Sequence, residues 1–236
     1  MSVATRPLAV EREDLPPGIV AIPVRTQLVR PGDDLPAVVA AAVAGIARAG
    51  DVVAVSETAV AIAQGEFVVA ERVRPTRLAY ALSRRAGALA TVNQPESMQI
   101  VIDRAGRGRV LAAVCAHLAG RIIGRRGAFY EVMGEAIAAI DGYTGTMPPF
   151  ERAIVFAPRD PDTCAASIAA RAGAACAIVD ANDLKKAKVL GASAGVDGDA
   201  VARALLDNPH GNGDEQTPIV VLKWRGEGRN PLQASA

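Results

Sequence analysis

Cys176-Ala177-Ile178-Val179-Asp180-Ala181-Asn182-Asp183-Leu184 is the stretch whose reading decides the rest of the chain. An apolar run over 174–179 suits a buried strand. It stops abruptly at Asp180, Asn182 and Asp183, with Lys185, Lys186 and Lys188 just beyond. Burying an unpaired charge costs several kcal/mol, so core strands exclude carboxylates. Acidic residues where such a strand emerges either cap the next turn or bind something positive, such as a divalent cation carrying a nucleotide phosphate. Both readings stand for Asp180, Asn182 and Asp183. Lys185 and Lys186 divide the same way, between phosphate contact and a solvated basic turn.

Working outward, residues 152–157 read as a strand. Asp160 then sits at a helix N-cap with Pro161 at the first helical position, and Gly173 ends that helix. Upstream, 18–22 reads as a strand closed by Pro23. Asp33 or Asp34 caps a helix whose apolar residues recur at helical spacing towards Gly50, and 51–56 is a strand. Residues 59–65 read as a short strand or buried turn, 76–86 as a helix and 97–103 as an alternating strand, while 109–119 fit either. A helix over 199–207 and a strand over 217–222 complete the pattern. Strands and helices interleave irregularly, so the fold class is α+β with mixed sheets. Residues 18–223 read as one domain with a sub-boundary near 147–150, and 1–17 and 226–236 as loosely ordered termini.

Half of the 236 residues are apolar but only 3% are aromatic, so the core is built from Ala, Val, Leu and Ile. A net charge of +1 argues against a general nucleic-acid or membrane-surface binder. No apolar run reaches the roughly 18 residues of a membrane helix. Three cysteines without metal-type spacing, and no leader-like start, fit a reduced cytoplasmic setting.

Among other candidates, Asp141 follows an apolar run in a Gly/Tyr/Thr turn, as a second cation ligand or an ordinary turn residue. Arg125 and Arg126, between Gly124 and Gly127, suit a substrate carboxylate or phosphate, or form a solvated turn. His117 reads as a core histidine and His210 as exposed. Ser56-Glu57-Thr58 follows a strand and either lines a pocket or turns the chain. Neither a Gly-x-x-x-x-Gly-Lys loop nor a strand followed by Gly-x-Gly-x-x-Gly occurs.

Five stretches, in order, resemble the coenzyme F420-0:L-glutamate ligase family (F420-0 gamma-glutamyl ligases). The first is Leu28-Val29-Arg30-Pro31-Gly32-Asp33-Asp34-Leu35, like the start of the family's first helix. The second is Gly50-Asp51-Val52-Val53-Ala54-Val55-Ser56 with Ala63-Gln64-Gly65. Ile140-Asp141 is similar to an acidic metal-ligand turn, and Ala157-Pro158-Arg159-Asp160-Pro161-Asp162 to a Pro-x-Asp-Pro-Asp junction. Val179-Asp180-Ala181-Asn182-Asp183 is sited like a second acidic metal site. The resemblance implies a mixed α/β fold, an intertwined homodimer, and a GTP- or ATP-dependent amide ligase using Mg or Mn ions. In such a ligase a small-molecule carboxylate is phosphorylated and the amine of a glutamate-like amino acid displaces the phosphate. It implies that Asp141 and Asp180 converge on one cation. The family's cations are absent from 56–66, and Asp183-Leu184-Lys185-Lys186 replaces its Asp-Thr-x-Gly-Arg run. A divergent member with other substrates is therefore implied, or a non-catalytic binding relative that kept the scaffold. A metal-dependent hydrolase using the same carboxylates is a third reading.

Overall fold

The computed structural model of the chain describes residues 18–86, 91–122, 124–125, 128–134, 140–141, 148–182, 184–211 and 215–234. The expectations for residues 1–17, Arg126, Asp183 and the turn after Asp141 lie outside the described residues. In chain order the elements are β1 (Ile19–Val24), α1 (Leu35–Val43), β2 (Val52–Ser56), α2 (Glu57–Gln64), β3 (Phe67–Val69) and α3 (Arg77–Ser83). Then come α4 (Pro95–Ala105), α5 (Arg107–Ile122), α6 (Ala128–Met133), β4 (Ile140–Asp141) and β5 (Ala153–Phe156). The last are α7 (Pro161–Ala172), β6 (Ala175–Asn182), β7 (Lys186–Ala192), α8 (Gly198–Ala204) and β8 (Ile219–Trp224). The protein is thus α+β with a mixed sheet. None of the described helices is long and apolar enough to cross a membrane.

Packing divides the chain into two compact units: residues up to Glu66 with those from Pro158 onward, and Phe67–Ala157 between them in sequence. The second break falls at 157/158, not near 147–150. In the first unit, five strands lie in the order β1-β8-β2-β6-β7. β2 and β6 run parallel, and the remaining neighbours are antiparallel. Pro23 lies within β1, which is an edge strand, where a missing amide donor is tolerated. One face packs Val52, Ala54, Ala177, Val179 and Val220 with Val201 and Leu205. α7 packs against β6, β7 and α1.

Local chemistry explains the helices of this unit. Asp34 accepts from the Ala37 amide at 3.1 Å and caps α1, while Asp33 accepts from Arg30 N at 2.8 Å. α1 ends at Val43 instead of running to Gly50, and the turns after it are held by Lys223, whose Nζ donates to Ile46 O and Asp51. Residues 59–64 are helical, not a strand or turn. α2 is buried from Ala59 to Ala63, so it shows no amphipathic period, and Gly65 closes it in the left-handed region. The segment after Gly226 is not loose as far as residue 234. Leu232 is fully buried, its carbonyl accepts from Asp197 N at 2.9 Å, and Gln233 bridges to Val196.

The second unit has a three-stranded antiparallel sheet, β3-β5-β4, with its own core of Met98, Val101, Ile102, Val110, Met133 and Ile154. The strand expected over 97–103 is helical, inside α4. Six consecutive residues, Ser97–Ile102, are buried there, so Met98, Ile100 and Ile102 do not mark a half-exposed strand. The polar member of that run is satisfied: Gln99 Oε1 accepts from Thr76 N and Oγ1, each at 2.8 Å, and Nε2 donates to Asp103 at 2.7 Å. Residues 109–119 belong to α5.

Gly191 is where β7 touches α7: a Cβ there would lie 2.5 Å from Asp162 N and from Pro161 C. Gly191→Ala should therefore destabilise the fold by about 1–3 kcal/mol through overpacking. Gly108→Ala, in α5 with nothing within 4 Å of the added methyl, should be neutral or stabilising by up to about 1 kcal/mol. Urea denaturation of both variants measures the contrast; equal midpoints would contradict it.

Candidate functional site at the carboxyl end of β6

β6 changes chemistry along its length. Cys176, Ala177 and Ile178 are completely buried, whereas Asp180, Ala181 and Asn182 are half-buried. The strand does not stop at Val179 but runs on to Asn182, because β7 pairs with it: Asp180 with Lys188, Ala181 with Ala187, Asn182 with Lys186. β2 ends three residues short of that, at Ser56 opposite Val179. Asp180 is therefore the first β6 residue without a neighbour from β2, at the open end of the parallel pair, the kind of place where α/β sheets bind ligands. Ala181, Ala187 and Val189 pack on the core, so alternation turns Asp180, Asn182, Lys186 and Lys188 to the other face of the ribbon. Lys185, at φ +55°, sits just before β7.

Burial pushes the Asp180 carboxyl above the ordinary Asp range, and the charge of Lys188 opposes that shift. Asn182 Oδ1 accepts from Leu184 N at 3.0 Å, as the capping alternative expected. Lys185 lies 3.7 Å from the Asp207 carboxylate. Lys186 is exposed on the polar face of the ribbon. Arg125 pairs with Glu131 at 2.9 Å, both more than half exposed, which is the solvated-turn arrangement. Asp141 pairs through its backbone with Val155 in the second unit; its side chain lies outside the described residues. Among the described residues no three His, Cys, Asp or Glu side chains gather to hold a metal. A half-buried carboxylate beside an amide oxygen nevertheless fits a hard ion such as Mg, which takes one or two carboxylates and completes its shell with phosphates and water.

The root of this ribbon is braced by a second arrangement, which the sequence did not disclose. Gln64 and Arg159 exchange two hydrogen bonds, Nε2 to the Arg159 carbonyl at 2.9 Å and the Arg159 amide to Oε1 at 2.7 Å. Arg159 also pairs with Glu66 at 2.8 Å, and Gly32 N donates to Ala63 O at 2.8 Å. Three of the sequence stretches quoted above, 28–35, 63–65 and 157–162, thus meet in one place. They border an open cleft of about 400 Å³ lined by Asp33, Leu35, Val60, Gln64, Asp160 and Thr163, among others. Asp160 holds the N-cap position but makes no capping bond, because its φ of +44° is left-handed. Asp162 reaches the sheet instead, accepting from Ala192 N at 2.8 Å.

The two histidines are the reverse of expectation. His117 is exposed on an outward part of α5 with Cys115 and Leu118. His210 is buried: Nδ1 faces Thr217 O at 3.2 Å, and Nε2 has no hydrogen-bond partner among the described residues. Period-two patterning from Lys186 to Val189, lysines alternating with Ala187 and Val189, was the signal for the ribbon.

A family model described as F420-0:Gamma-glutamyl ligase matches residues 23–206. The chain belongs to that family, which implies a gamma-glutamyl ligase function. No curated protein matches the sequence significantly.

Burial pushes the His210 pKa down to about 4. Between that value and 6.5 the unfolded chain binds a proton that the native one refuses. Stability present above pH 6.5 should therefore be lost on acidification towards pH 4, by at most about 1.4 kcal/mol per pH unit from this group. Denaturation midpoints of the wild type and His210→Leu across pH 4.5–7 measure it. The variant should lose part of the slope; identical slopes would contradict the assignment.

Proposed function

We propose that the chain is an NTP- and divalent-metal-dependent ligase that joins a glutamate-like amino acid to a small-molecule carboxylate. The observation that carries the reading is Asp180, half-buried where β6 leaves the sheet, in a chain of a gamma-glutamyl ligase family. Asp180 serves as a metal ligand with Asn182 or Asp183 as a further oxygen donor, and Asp141 is assigned in its own right as a metal ligand. A bound Mg or Mn ion supplies neutralisation of the nucleotide phosphates. Lys185 and Lys186 add positive charge for the same GTP or ATP phosphates.

The acceptor carboxylate takes the terminal phosphoryl group, the amine displaces it, and NDP and phosphate leave as the amide bond forms. Every substrate is anionic, and Arg125 and Arg126 are assigned to a substrate anion. The sequence of the second unit, 67–157, supports this with twelve arginines and no lysine against seven carboxylates. The protein works as a cytoplasmic homodimer. A non-catalytic binding relative is the second reading, favoured by one observation: α2 replaces the family's cationic segment with a buried helix that has no lysine or arginine.

GTP or ATP with Mg or Mn at a hundredfold excess over its dissociation constant should stabilise the native state by about 2.7 kcal/mol. In a chain of this size that raises Tm by roughly 5–10 °C. Asp180→Asn and Asp141→Asn should each abolish the metal-dependent part of the shift, and lower ligase turnover by at least about 100-fold. Calorimetry separates the two readings, since a binder takes up nucleotide without consuming it. Full turnover by Asp180→Asn would remove that residue from the mechanism.

A further inference from the structure

The overall charge of +1 conceals a division between the two units. The second unit carries +5 by sequence, twelve arginines against seven carboxylates, which leaves −4 for the first. Within the second unit Arg104 lies over the Phe156 ring at 3.8 Å, Arg109 donates to Val132 O at 3.0 Å, Arg125 pairs with Glu131 and Arg152 with Glu71. Arg72, Arg74, Arg77 and Arg84 are not engaged in this way. All four are exposed, and none has a carboxylate partner among the described residues. Helix α3 explains where they point. Leu78 and Leu82 pack on the core of the unit, and Ala79 and Ser83 are buried. Helical spacing then turns Arg77, Tyr80, Ala81 and Arg84 outward on one face. Tyr80, 45% exposed, stands about one turn from each arginine, and the two arginines are about 10 Å apart along the axis. Arg72 and Arg74 precede them on either side of Val73, which packs inward. The face is held rigid from beneath: Thr76 caps α3 on Ala79 N and is itself bonded to the buried Gln99.

We propose that the outer face of α3 binds a single strand of nucleic acid, with the guanidiniums on backbone phosphates and a base stacked on Tyr80. Guanidinium forks match phosphate oxygens in pairs. An exposed aromatic ring set between them gives any unpaired base a stacking surface. A carboxylate-rich peptide would use the arginines and leave the ring without a partner. A duplex keeps its base faces inside the stack and offers the ring nothing either. A membrane surface would need apolar side chains on the same face, and Leu78 and Leu82 point the other way. This function is separate from the ligase reading, since no metal ion and no residue of the β6–β7 ribbon takes part.

The test is fluorescence anisotropy of labelled oligouridine and oligothymidine strands of about ten nucleotides, titrated with the full chain over a series of salt concentrations. Both strands should bind, with the logarithm of the binding constant falling linearly against that of the salt concentration. Arg77→Gln and Arg84→Gln should each weaken binding about five- to tenfold and reduce the slope by about 0.7. Tyr80→Ala should weaken it about tenfold with the slope unchanged, and Tyr80→Phe should stay within about twofold of the wild type. Arg121→Gln, which removes an exposed arginine of α5, should leave the binding constant unchanged. Thermal melting of each variant confirms that these exposed positions leave the fold intact. No binding by the wild type at low salt overturns the proposal. So does a loss in Tyr80→Ala no greater than in Arg121→Gln. Equal affinity for an oligoglutamate peptide, for anionic vesicles or for a duplex of the same length also overturns it, because the face would then be a surface for polyanions in general. Each of these results leaves the ligase reading untouched.

Discussion

A strand that starts in a dry core and ends in water must change its side chains part-way, and the position of that change is set by its neighbours. β6 is covered on both faces and paired on both edges through Val179, then loses β2 while keeping β7. An ionised carboxylate one pair deeper would sit where Ile178 and Val179 are wholly or almost wholly buried, at a cost of several kcal/mol. Beyond the strand, at Leu184 and Lys185, it would be ordinary solvated surface. Asp180 falls between these limits, desolvated enough for its charge to matter and open enough for a ligand to reach it. The remaining groups of the site take their places from that register.

Holding the ribbon in place is the task of the α7 junction. Gly191 lets the start of α7 lie against β7, Asp162 ties that start to Ala192, and the reciprocal bonds of Gln64 with Arg159 fasten the preceding turn to the end of α2. The left-handed backbone of Asp160 is retained because these contacts over-determine it.

Much of this was legible in the sequence where one local signal dominated. The run into Asp180 announced a buried strand, Asp34 and Pro161 announced helix starts, and Gly173 ended a helix as glycines do. The failures have physical causes. α4 and α2 are buried on most sides, so their apolar residues carry no helical period, and the polar Gln99 is satisfied only by the distant Thr76. β7 was not anticipated because a ribbon with lysines on its outer face has the composition of a solvated loop. At the site, Asp180 and Lys186 could be named from the sequence, and Asn182 proved to be the cap that was one of its two readings. The partnership of Lys188 with Asp180 required the register, and the Gln64–Arg159 bracket joins residues 95 positions apart. His117 and His210 exchanged environments because burial depends on which elements cover a residue, which local composition does not reveal.

The claim at the centre is that a divalent ion is held where β6 emerges from the sheet, and a paramagnetic ion reports its own location. Amide resonances of the ¹⁵N-labelled chain, followed while Mn ion is added in substoichiometric amounts, give the most direct reading. Broadening centred on residues 180–188, and abolished by Asp180→Asn, is the result predicted here. Broadening centred elsewhere on the chain, with the β6 and β7 resonances still sharp, would contradict it.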